Sequence, residues 1–361
     1  MSYFSMHNHT YYSYLDGYAS PKEYFEACKR NNVSGFAITD HGNTCAWVYF
    51  DELKKEYPEV KVCYGCEMYE CEDINIKDSH SKYWHLLVIA RTDEGRKAIN
   101  WLVTESQKGF YYKPRVDLNT FRECFKYFSP DSIIVSSACL QSKLSRTDDY
   151  DKCVSYVNEY KQLFPHFYLE MQSHRFEDQV KYNQKILKLS RDTNTNYVIT
   201  TDSHYANECD AYFQNYWTQV GKKTVGGVDE LKVSECYEGC FIQNEAQIHS
   251  VLDSQVGKDV VEKGLRETEN ILNIIEQVDM PWQQPALPNY PLPDGYNTLH
   301  DYMTSLINKG FVERGITKKP KDELNIYIQR ARYEMSVIDK MGFDGYFLIV
   351  REQLTGVKKM A

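Results

Sequence analysis

Two histidines near the start of the chain, His7 and His9, are spaced so that both could bind one metal ion. In an extended strand, side chains two residues apart point to the same side. Neutral imidazole is the commonest protein ligand for zinc and related metals. Taken alone, the pair fits two surface histidines beside a strand equally well. The metal interpretation therefore depends on further ligand-type residues near the ends of other strands.

Several later runs of apolar and β-branched residues have the composition of buried strands, and the segments between them show helical spacing, as in 20–30 and 182–191. The predicted strands are 36–39, 61–69, 84–90, 132–136, 167–172 and 197–201. Strands that alternate with helices predict an α/β fold with a largely parallel sheet, either open or closed into a barrel.

Ligand-type side chains recur close to these strands, and the carboxyl ends of parallel strands carry the chemistry in such folds. The candidate ligands are His7, His9, Asp16, His41, Glu67, His85, Cys139, Asp202 and His204. Because His85 precedes its strand, that strand either runs antiparallel or contains a bulge. Nine mixed ligands exceed the four of a structural zinc site and suit two or three bridged ions. Such a cluster activates water and stabilises a phosphoryl displacement.

The motifs HNH, YLDG, ITDHGN, GCE, WHLL, SSACL and TDSHY, in this order, resemble the PHP (polymerase and histidinol phosphatase) domain family. Segments 109–115, 167–174 and 341–350 are similar to the branch of this family that opens the alpha subunit of bacterial DNA polymerase III. The resemblance implies a distorted seven-stranded β/α barrel, similar to a TIM barrel, followed by a partial α+β palm segment.

The same resemblance implies how the candidate ligands divide among the ions. The first ion would be held by His7, His9, Glu67 and Asp202, the second by Glu67, His85 and Cys139, and the third by Asp16, His41 and His204. Catalysis would depend on Glu67, Asp202 and His9. We expect two or three divalent ions, zinc or manganese, with magnesium and iron as alternatives. A thiolate at Cys139 favours zinc over magnesium.

Two other cysteine pairs, Cys63 with Cys66 and Cys236 with Cys240, have spacings that could contribute to a separate zinc site. However, Cys63 and Cys66 lie in a predicted strand, where residues three apart face opposite sides. The sequence shows no secretion signal, so we expect its eleven cysteines to be reduced thiols.

The net charge of the 361-residue chain is −9, which offers no broad basic face for duplex DNA. Bound divalent ions would nevertheless attract a phosphate locally. Cations alternate with aromatic residues in one segment, 108–115, which predicts nucleic-acid contacts or, as an alternative, a hairpin packed on a neighbouring domain. The predicted contacts are Lys108, Tyr111, Tyr112, Lys113 and Arg115.

A proline-rich stretch divides the chain, because such a sequence forms neither a helix nor a central strand. We predict a metal-binding barrel over 1–277, a linker over 278–296 and the start of a palm-like domain over 297–361. Within the last segment we predict helices at 298–314 and 322–341 and a buried strand at 346–350. The resemblance places the catalytic aspartates of the polymerase beyond residue 361, so we expect no polymerase activity from this chain alone.

Three functions fit these observations. The first is a metal-dependent phosphodiesterase, a 3′–5′ exonuclease acting on single-stranded DNA or a primer end. The second is a non-catalytic scaffold in which metals stabilise a barrel that braces a polymerase or docks a proofreading subunit. The third is a small-molecule phosphatase of the histidinol phosphate type. The expected partners are DNA, the remainder of the alpha subunit and other replisome proteins. No membrane span is predicted, and a bacterial or phage-encoded cytoplasmic protein is expected.

Overall fold

The computed structural model describes residues 3–78, 82–220, 237–282 and 288–360. The chain divides into two compact units, Met1–Met280 and Pro281–Ala361. In the first unit the strands are β1 (Phe4–Ser5), β2 (Gly35–Ile38), β3 (Lys61–Glu70), β4 (Trp84–Ala90), β5 (Arg115–Val116), β6 (Ile133–Ser136), β7 (Phe167–Gln172) and β8 (Tyr197–Thr200).

Helices separate most of these strands along the chain. In the first unit they are α1 (Pro21–Arg30), α2 (Trp47–Leu53), α3 (Asp93–Ser106), α4 (Leu118–Cys124), α5 (Tyr150–Leu163), α6 (Glu177–Thr193), α7 (Ala211–Val220), α8 (Glu245–Val256) and α9 (Lys258–Ile274). Local sequence explains several of their ends. For example, Ser20 and Glu23 form a capping box at the start of α1, and Pro21 takes the first helical position, where no amide hydrogen is needed.

The sheet is a nearly closed barrel of seven strands in the order β1-β2-β3-β4-β6-β7-β8, with β5 paired to β3 outside this path. The two ends of the path meet where Asn8 forms a bridge with Ser203. There the amide of His9 donates to the carbonyl oxygen of Ser203, and the amide of Ser203 donates to the carbonyl oxygen of His7. The predicted barrel is confirmed, and its closure brings the residues after β1 and β8 together.

Strand β4 runs antiparallel to both of its neighbours, β3 and β6, whereas the other neighbouring pairs on the seven-strand path are parallel. This direction resolves the position of His85. Its strand begins at the end of the barrel where the parallel strands finish, so a residue at the start of β4 lies opposite Tyr69 near the end of β3. Of the two alternatives that the sequence left open, the antiparallel strand is therefore correct.

Most buried apolar side chains of the strands belong to one of two clusters. The inner cluster takes one or two residues from most strands and is covered by α9; it contains Phe4, Met6, Ala37, Cys63, Leu87, Ile89, Ile134, Ala138, Val198, Ile271, Leu272 and Ile275. The larger cluster lies between the strands and the surrounding helices. Cys63 belongs to the inner cluster and Cys66 to the outer one, so the two thiols face opposite sides of β3. They do not form a common metal site, and Cys236 lies outside the described residues.

In the described residues of the second unit, 281–282 and 288–360, the regular secondary structure is all helical, and the residues before 299 form turns and irregular segments. Its α-helices are α10 (Leu299–Glu313), α11 (Lys321–Lys340) and α12 (Asp344–Met360). The two predicted helices are present, but the predicted strand at 346–350 is wrong, because these residues belong to α12. A strand needs a neighbouring strand for its backbone hydrogen bonds, whereas a helix provides its own. The described part of this unit offers no such neighbour, and the α+β character expected of it is not observed.

The cysteines in the described residues are all free thiols. No helix among these residues is both long enough and apolar enough to cross a membrane.

Candidate metal centre

All nine predicted ligands lie at one end of the barrel, although they come from segments as far apart as His7 and His204. Of these nine, all but His7 line a cavity of about 870 Å³. His7 is completely buried behind it. The barrel thus brings together side chains that the sequence distributes over nearly 200 positions.

The side chains of His7 and His9 present lone pairs to each other. Nδ1 of His7 donates to Glu170, which leaves Nε2 of the neutral ring as an acceptor. The hydroxyl of Ser13 donates to Asp40, so its oxygen accepts from Nδ1 of His9, and Nε2 of His9 is also an acceptor. These two Nε2 atoms are only 3.1 Å apart. Two lone pairs at this distance require a cation between them, either a proton or a metal ion.

Two carboxylates complete the first group of candidate ligands. Oxygens of Glu67 lie 3.2 Å from Nε2 of His7 and 3.2 Å from Nε2 of His9. Oδ1 of Asp202 lies 3.3 Å and 3.4 Å from the same two nitrogens. Asp202 follows β8 in a left-handed conformation, with φ of 47°, which non-glycine residues seldom adopt. With this backbone conformation, the Asp202 carboxylate faces the two histidines.

The second group contains Glu67, His85 and Cys139. Nδ1 of His85 lies 3.1 Å from Oε1 of Glu67 and 3.4 Å from Sγ of Cys139, and that sulfur lies 3.7 Å from Oε1 of Glu67. Burial, with the nearby carboxylates of Glu67 and Asp202, raises the pKa of the Cys139 thiol. Without a cation beside it, this sulfur therefore keeps its proton at neutral pH.

The third group is centred on Asp16. Its Oδ2 atom lies 2.7 Å from Nε2 of His41 and 3.3 Å from Nε2 of His204. Nδ1 of His204 donates to the carbonyl oxygen of Asp202, so Nε2 is the ring nitrogen that faces Asp16. Burial lowers the pKa of His204, but Asp16 and Asp202 outweigh this effect and raise it well above its ordinary value. The other ring nitrogen of His41 lies 2.8 Å from Oε2 of Glu67. Glu67 thus borders all three groups.

Unpartnered polar atoms and shifted pKa values both indicate that this centre accommodates cations. Nδ1 of His41 and Oε2 of Glu67 lie 2.8 Å apart but, like Oδ1 of Asp202, are buried without a well-aligned hydrogen bond. Burial lowers the pKa of His41, but Glu67 and Asp16 outweigh this effect and raise the pKa to about 9. Burial raises the pKa of Asp202, but His7 and His204 outweigh it and hold the pKa below its ordinary value. The donor set of nitrogen, oxygen and sulfur atoms fits divalent metal ions.

Comparison with known proteins identifies the family of the barrel. Residues 5–174 match the family described as PHP domain, and residues 301–360 match the family described as bacterial DNA polymerase III alpha NTPase domain. The barrel is thus similar to the PHP-domain family over these residues. The matched region of the PHP domain includes His7, His9, Asp16, His41, Glu67, His85 and Cys139.

Curated relatives extend the similarity across nearly the whole chain. The DNA polymerase III subunit alpha of Borreliella burgdorferi is 31% identical over 96% of this chain, and that of Aquifex aeolicus is 28% identical over 98%. The chain spans only about 30% of the length of these relatives.

Solved structures show weaker likeness. A Bifidobacterium adolescentis protein described as a metal-dependent phosphoesterase aligns over 72% of this chain and 98% of its own, with 14% identity and a TM-score of 0.35. An amidohydrolase from Chromobacterium violaceum aligns over 57% of this chain and 89% of its own, with 10% identity and a TM-score of 0.36.

The predicted nucleic-acid segment of the PHP domain separates into residues with different surroundings. The guanidinium group of Arg115 is buried and donates to the carbonyl oxygens of Gly109, Ile76 and Ile74, so the prediction that Arg115 contacts DNA is wrong. Lys108 pairs with Glu105 and lies outside the lining of the metal cavity, and the ring of Tyr111 packs on the Arg115 guanidinium. Tyr112 is exposed. Lys113 alone of this set lines the metal cavity.

Sequence reasoning missed several residues that support the ligands of the PHP domain. Glu170 and Gln172 stand two apart on β7, and the amide of Gln172 donates both to Glu170 and to Oδ2 of Asp202. Their spacing near the end of a predicted strand was a usable signal, because it places both side chains on one side. The hydroxyl of Tyr237 donates to Oδ1 of Asp16 at 2.6 Å. This contact joins residues 221 positions apart, and no local pattern indicates it.

Proposed function

We propose that this chain is a metal-dependent phosphoesterase that releases nucleotides from the 3′ end of single-stranded DNA. The main support is the first ligand group, in which two imidazole lone pairs and two carboxylates converge within 3.1–3.4 Å at the wall of a large cavity. The cavity volume of about 870 Å³ lies within the range of roughly 300–1,000 Å³ that is typical of ligand pockets.

The proposed roles follow from the geometry of the three groups. His7, His9, Glu67 and Asp202 would hold the ion nearest the attacking water, with Glu67 shared by the neighbouring ions. Glu67, His85 and Cys139 would hold a second ion, and Asp16, His41 and His204 a third. We propose zinc or manganese as the ions, with magnesium and iron as alternatives.

Divalent ions at such a centre lower the pKa of water and neutralise charge on a reacting phosphate. The side chains themselves orient the reaction. His9, held through Ser13, directs one lone pair into the cavity and cannot rotate without breaking a buried hydrogen bond. Oδ1 of Asp202 is buried without a well-aligned hydrogen bond among the described residues and would accept one from the attacking water. Glu67, Asp202 and His9 are therefore the proposed catalytic residues.

DNA is proposed as the substrate because the relatives that match nearly the whole chain are replicative DNA polymerase subunits. The partners proposed on the same basis are the remainder of an alpha subunit and other replisome proteins. A monoester phosphatase would not require the second helical unit, which matches a polymerase family.

A second candidate role is structural. The nine ligands come from segments near β1, β2, β3, β4, β6 and β8, so ions at this centre would cross-link most of the barrel. A scaffold of this kind would hold its metals for stability and would brace a polymerase or dock a proofreading subunit, without hydrolysing a phosphate ester.

One experiment distinguishes these functions. The purified chain is loaded with manganese or zinc and supplied with a 3′-labelled single-stranded oligonucleotide or, separately, with histidinol phosphate. Metal-dependent release of labelled mononucleotide supports the exonuclease, whereas release of phosphate from histidinol phosphate alone contradicts it. A folded, metal-loaded chain that processes neither substrate favours the scaffold. The assay is then repeated with the remaining polymerase polypeptide added, because correct positioning of substrate alone changes rates by orders of magnitude.

A further inference from the structure

Lys113 is the only lysine or arginine among the described residues that line the metal cavity. Its side chain lies in the cavity wall. Lys113 forms no ion pair with a carboxylate in the part of the chain that the structure describes. Its ammonium nitrogen lies 5.0 Å from the ring centroid of Tyr69. An ammonium group that contacts only a ring remains available to an anion in the cavity.

The ring of Tyr69 connects Lys113 to the candidate ligands. It stacks on His41, with ring centroids 5.5 Å apart and planes inclined by 22°, and meets His85 edge-on at 5.4 Å. Tyr69 itself is buried. Lys113 and two of the candidate ligands thus contact the same ring, which places a positive charge beside the metal centre.

The backbone around Lys113 is held in place by its neighbours. Pro114 packs on Gly42, whose φ is +59°, so closely that a Cβ atom at Gly42 would lie 2.8 Å from Cγ of Pro114. Arg115 fixes the other side of the loop through its bonds to backbone carbonyls. The backbone position of Lys113 in the cavity wall is thus built into the fold.

An exposed aromatic ring adjoins this lysine. Tyr83 meets Tyr69 edge-on, with centroids 5.4 Å apart, lines the same cavity and keeps 41% of its surface exposed. Aromatic rings beside a cationic groove bind single-stranded nucleic acids irrespective of sequence, because every base has a π-face.

We propose that Lys113, supported by Tyr69, and the exposed ring of Tyr83 form a subsite for the nucleotide next to the one being removed. Lys113 would contact the phosphate of that nucleotide, and Tyr83 would stack on its base. The inference rests on the proposed phosphoesterase function and specifies its substrate as a single-stranded polynucleotide rather than a small phosphate ester. A lysine is needed here for an electrostatic reason. The carboxylates of Asp16, Glu67 and Asp202 repel a polyanion, and metal ions at the centre would offset this repulsion only near the bond that is cleaved.

The test compares two substrates with the manganese-loaded full chain: a single-stranded oligonucleotide, which reaches the subsite, and bis(p-nitrophenyl) phosphate, which does not. Lys113→Gln is expected to lower kcat/KM for the oligonucleotide about tenfold relative to that for the small diester, mainly through KM. Lys113→Arg is expected to restore most of the loss. The slope of log kcat/KM against log salt concentration should become shallower by about 0.7, the value for one phosphate contact on a single strand.

Matched controls come from exposed residues outside the cavity lining. Lys126→Gln removes a lysine that pairs with Glu123, and it is expected to leave the cleavage of both substrates unchanged. Tyr83→Ala should weaken oligonucleotide cleavage by roughly 5- to 100-fold, the loss expected for one stacked base. Tyr127→Ala, which removes a more exposed tyrosine outside the cavity lining, should not.

Binding measurements keep the two proposals distinguishable. If the unmodified chain hydrolyses neither substrate, the proposed function fails, and the subsite is tested through the fluorescence anisotropy of a labelled oligonucleotide in manganese. Weaker binding by Lys113→Gln but not by Lys126→Gln then supports the subsite. The inference is overturned if Lys113→Gln impairs both substrates equally, which would assign the lysine to charge balance at the metal centre, or if it impairs neither substrate nor binding.

Discussion

Nδ1 of His7 lies 2.7 Å from Oε1 of Glu170, so a fully buried carboxylate sets the tautomer of a candidate metal ligand. Glu170 is itself held by hydroxyl groups of Ser136 and Thr200 and by the amide of Gln172. A histidine oriented in this way keeps its other nitrogen directed at the metal position. Such outer contacts commonly change metal affinity by 10- to 100-fold when they are altered.

Glu170→Gln tests this relationship. The amide retains the shape of the side chain but removes its charge, so it no longer favours a basic imidazole at His7. We expect metal affinity to fall by about tenfold, the lower end of the usual range, with little change in fold. Competition with a chelator measures the affinity. Glu159→Gln, at a solvent-exposed pair with Arg122, is the control, and equal affinities in both variants would contradict the proposed role.

Asp202→Asn tests catalysis. The substitution conserves shape but removes a charge that faces His7 and His9 at 3.3 and 3.4 Å. Because charge stabilisation at such centres contributes several kcal/mol, we expect nucleotide release to fall at least about 100-fold. Circular dichroism should show an unchanged fold. His174→Ala, which changes a cavity residue outside the nine ligands, should have a smaller effect, and equal losses in both variants would argue against a special role for Asp202.

Cys139→Ser tests ligation by sulfur. If the Cys139 thiolate binds an ion, the substitution should reduce the metal content per chain and make the remaining zinc easier to remove with a mild chelator. Cobalt substitution provides a direct readout, since thiolate ligation produces a charge-transfer absorption that Cys139→Ser should abolish. Cys153→Ser, which alters a buried thiol away from the centre, should retain it. A cobalt spectrum without thiolate absorption in the unmodified protein would show that Cys139 is not a ligand.

The metal-free protein should lose stability as the pH rises. The pKa of His41 is raised from 6.5 to about 9 by Glu67 and Asp16, which outweigh the opposite effect of burial. A raised pKa contributes stability that is complete below about pH 6.5 and is lost as the pH increases through about 9. For His41 this amounts to on the order of 3 kcal/mol. Chemical denaturation at pH 6.5 and pH 9 measures the difference.

Metal binding should show the opposite dependence on pH. An ion displaces protons from the histidines, so affinity should rise between pH 6.5 and pH 9, and binding at pH 7 should release protons. Titration calorimetry in two buffers with different ionisation enthalpies counts these protons. Identical heats in both buffers would contradict the assignment of protonated histidines to the metal-free centre.

Much of the fold and of the candidate centre was predictable because local patterns of apolar and polar residues indicate which side chains are buried and whether a segment is a strand or a helix. The apolar runs that became β3, β4, β7 and β8 stand where they were predicted, within one or two residues at each end. The ligand types near these strands were also visible, since a buried histidine or carboxylate next to an apolar run is unusual without a partner. The predicted strand at 346–350 failed because an apolar run of five residues fits a strand and a helix equally well.

The sequence by itself thus determined which residues are available as metal ligands and that these residues lie near the ends of strands. It also determined that the strands alternate with helices and have a predominantly apolar composition, as a β/α barrel requires. Only the tertiary structure decided which of them meet. Barrel closure brings Asp202 to His7 and His9, the antiparallel direction of β4 turns His85 toward Glu67, and burial converts Arg115 from a potential DNA contact into a support for the loop that carries Lys113. The reason is physical. The periodic pattern of apolar residues depends on residues close together in the sequence, whereas a hydrogen bond such as that from Nδ1 of His7 to Glu170 requires the fold to bring together residues 163 positions apart.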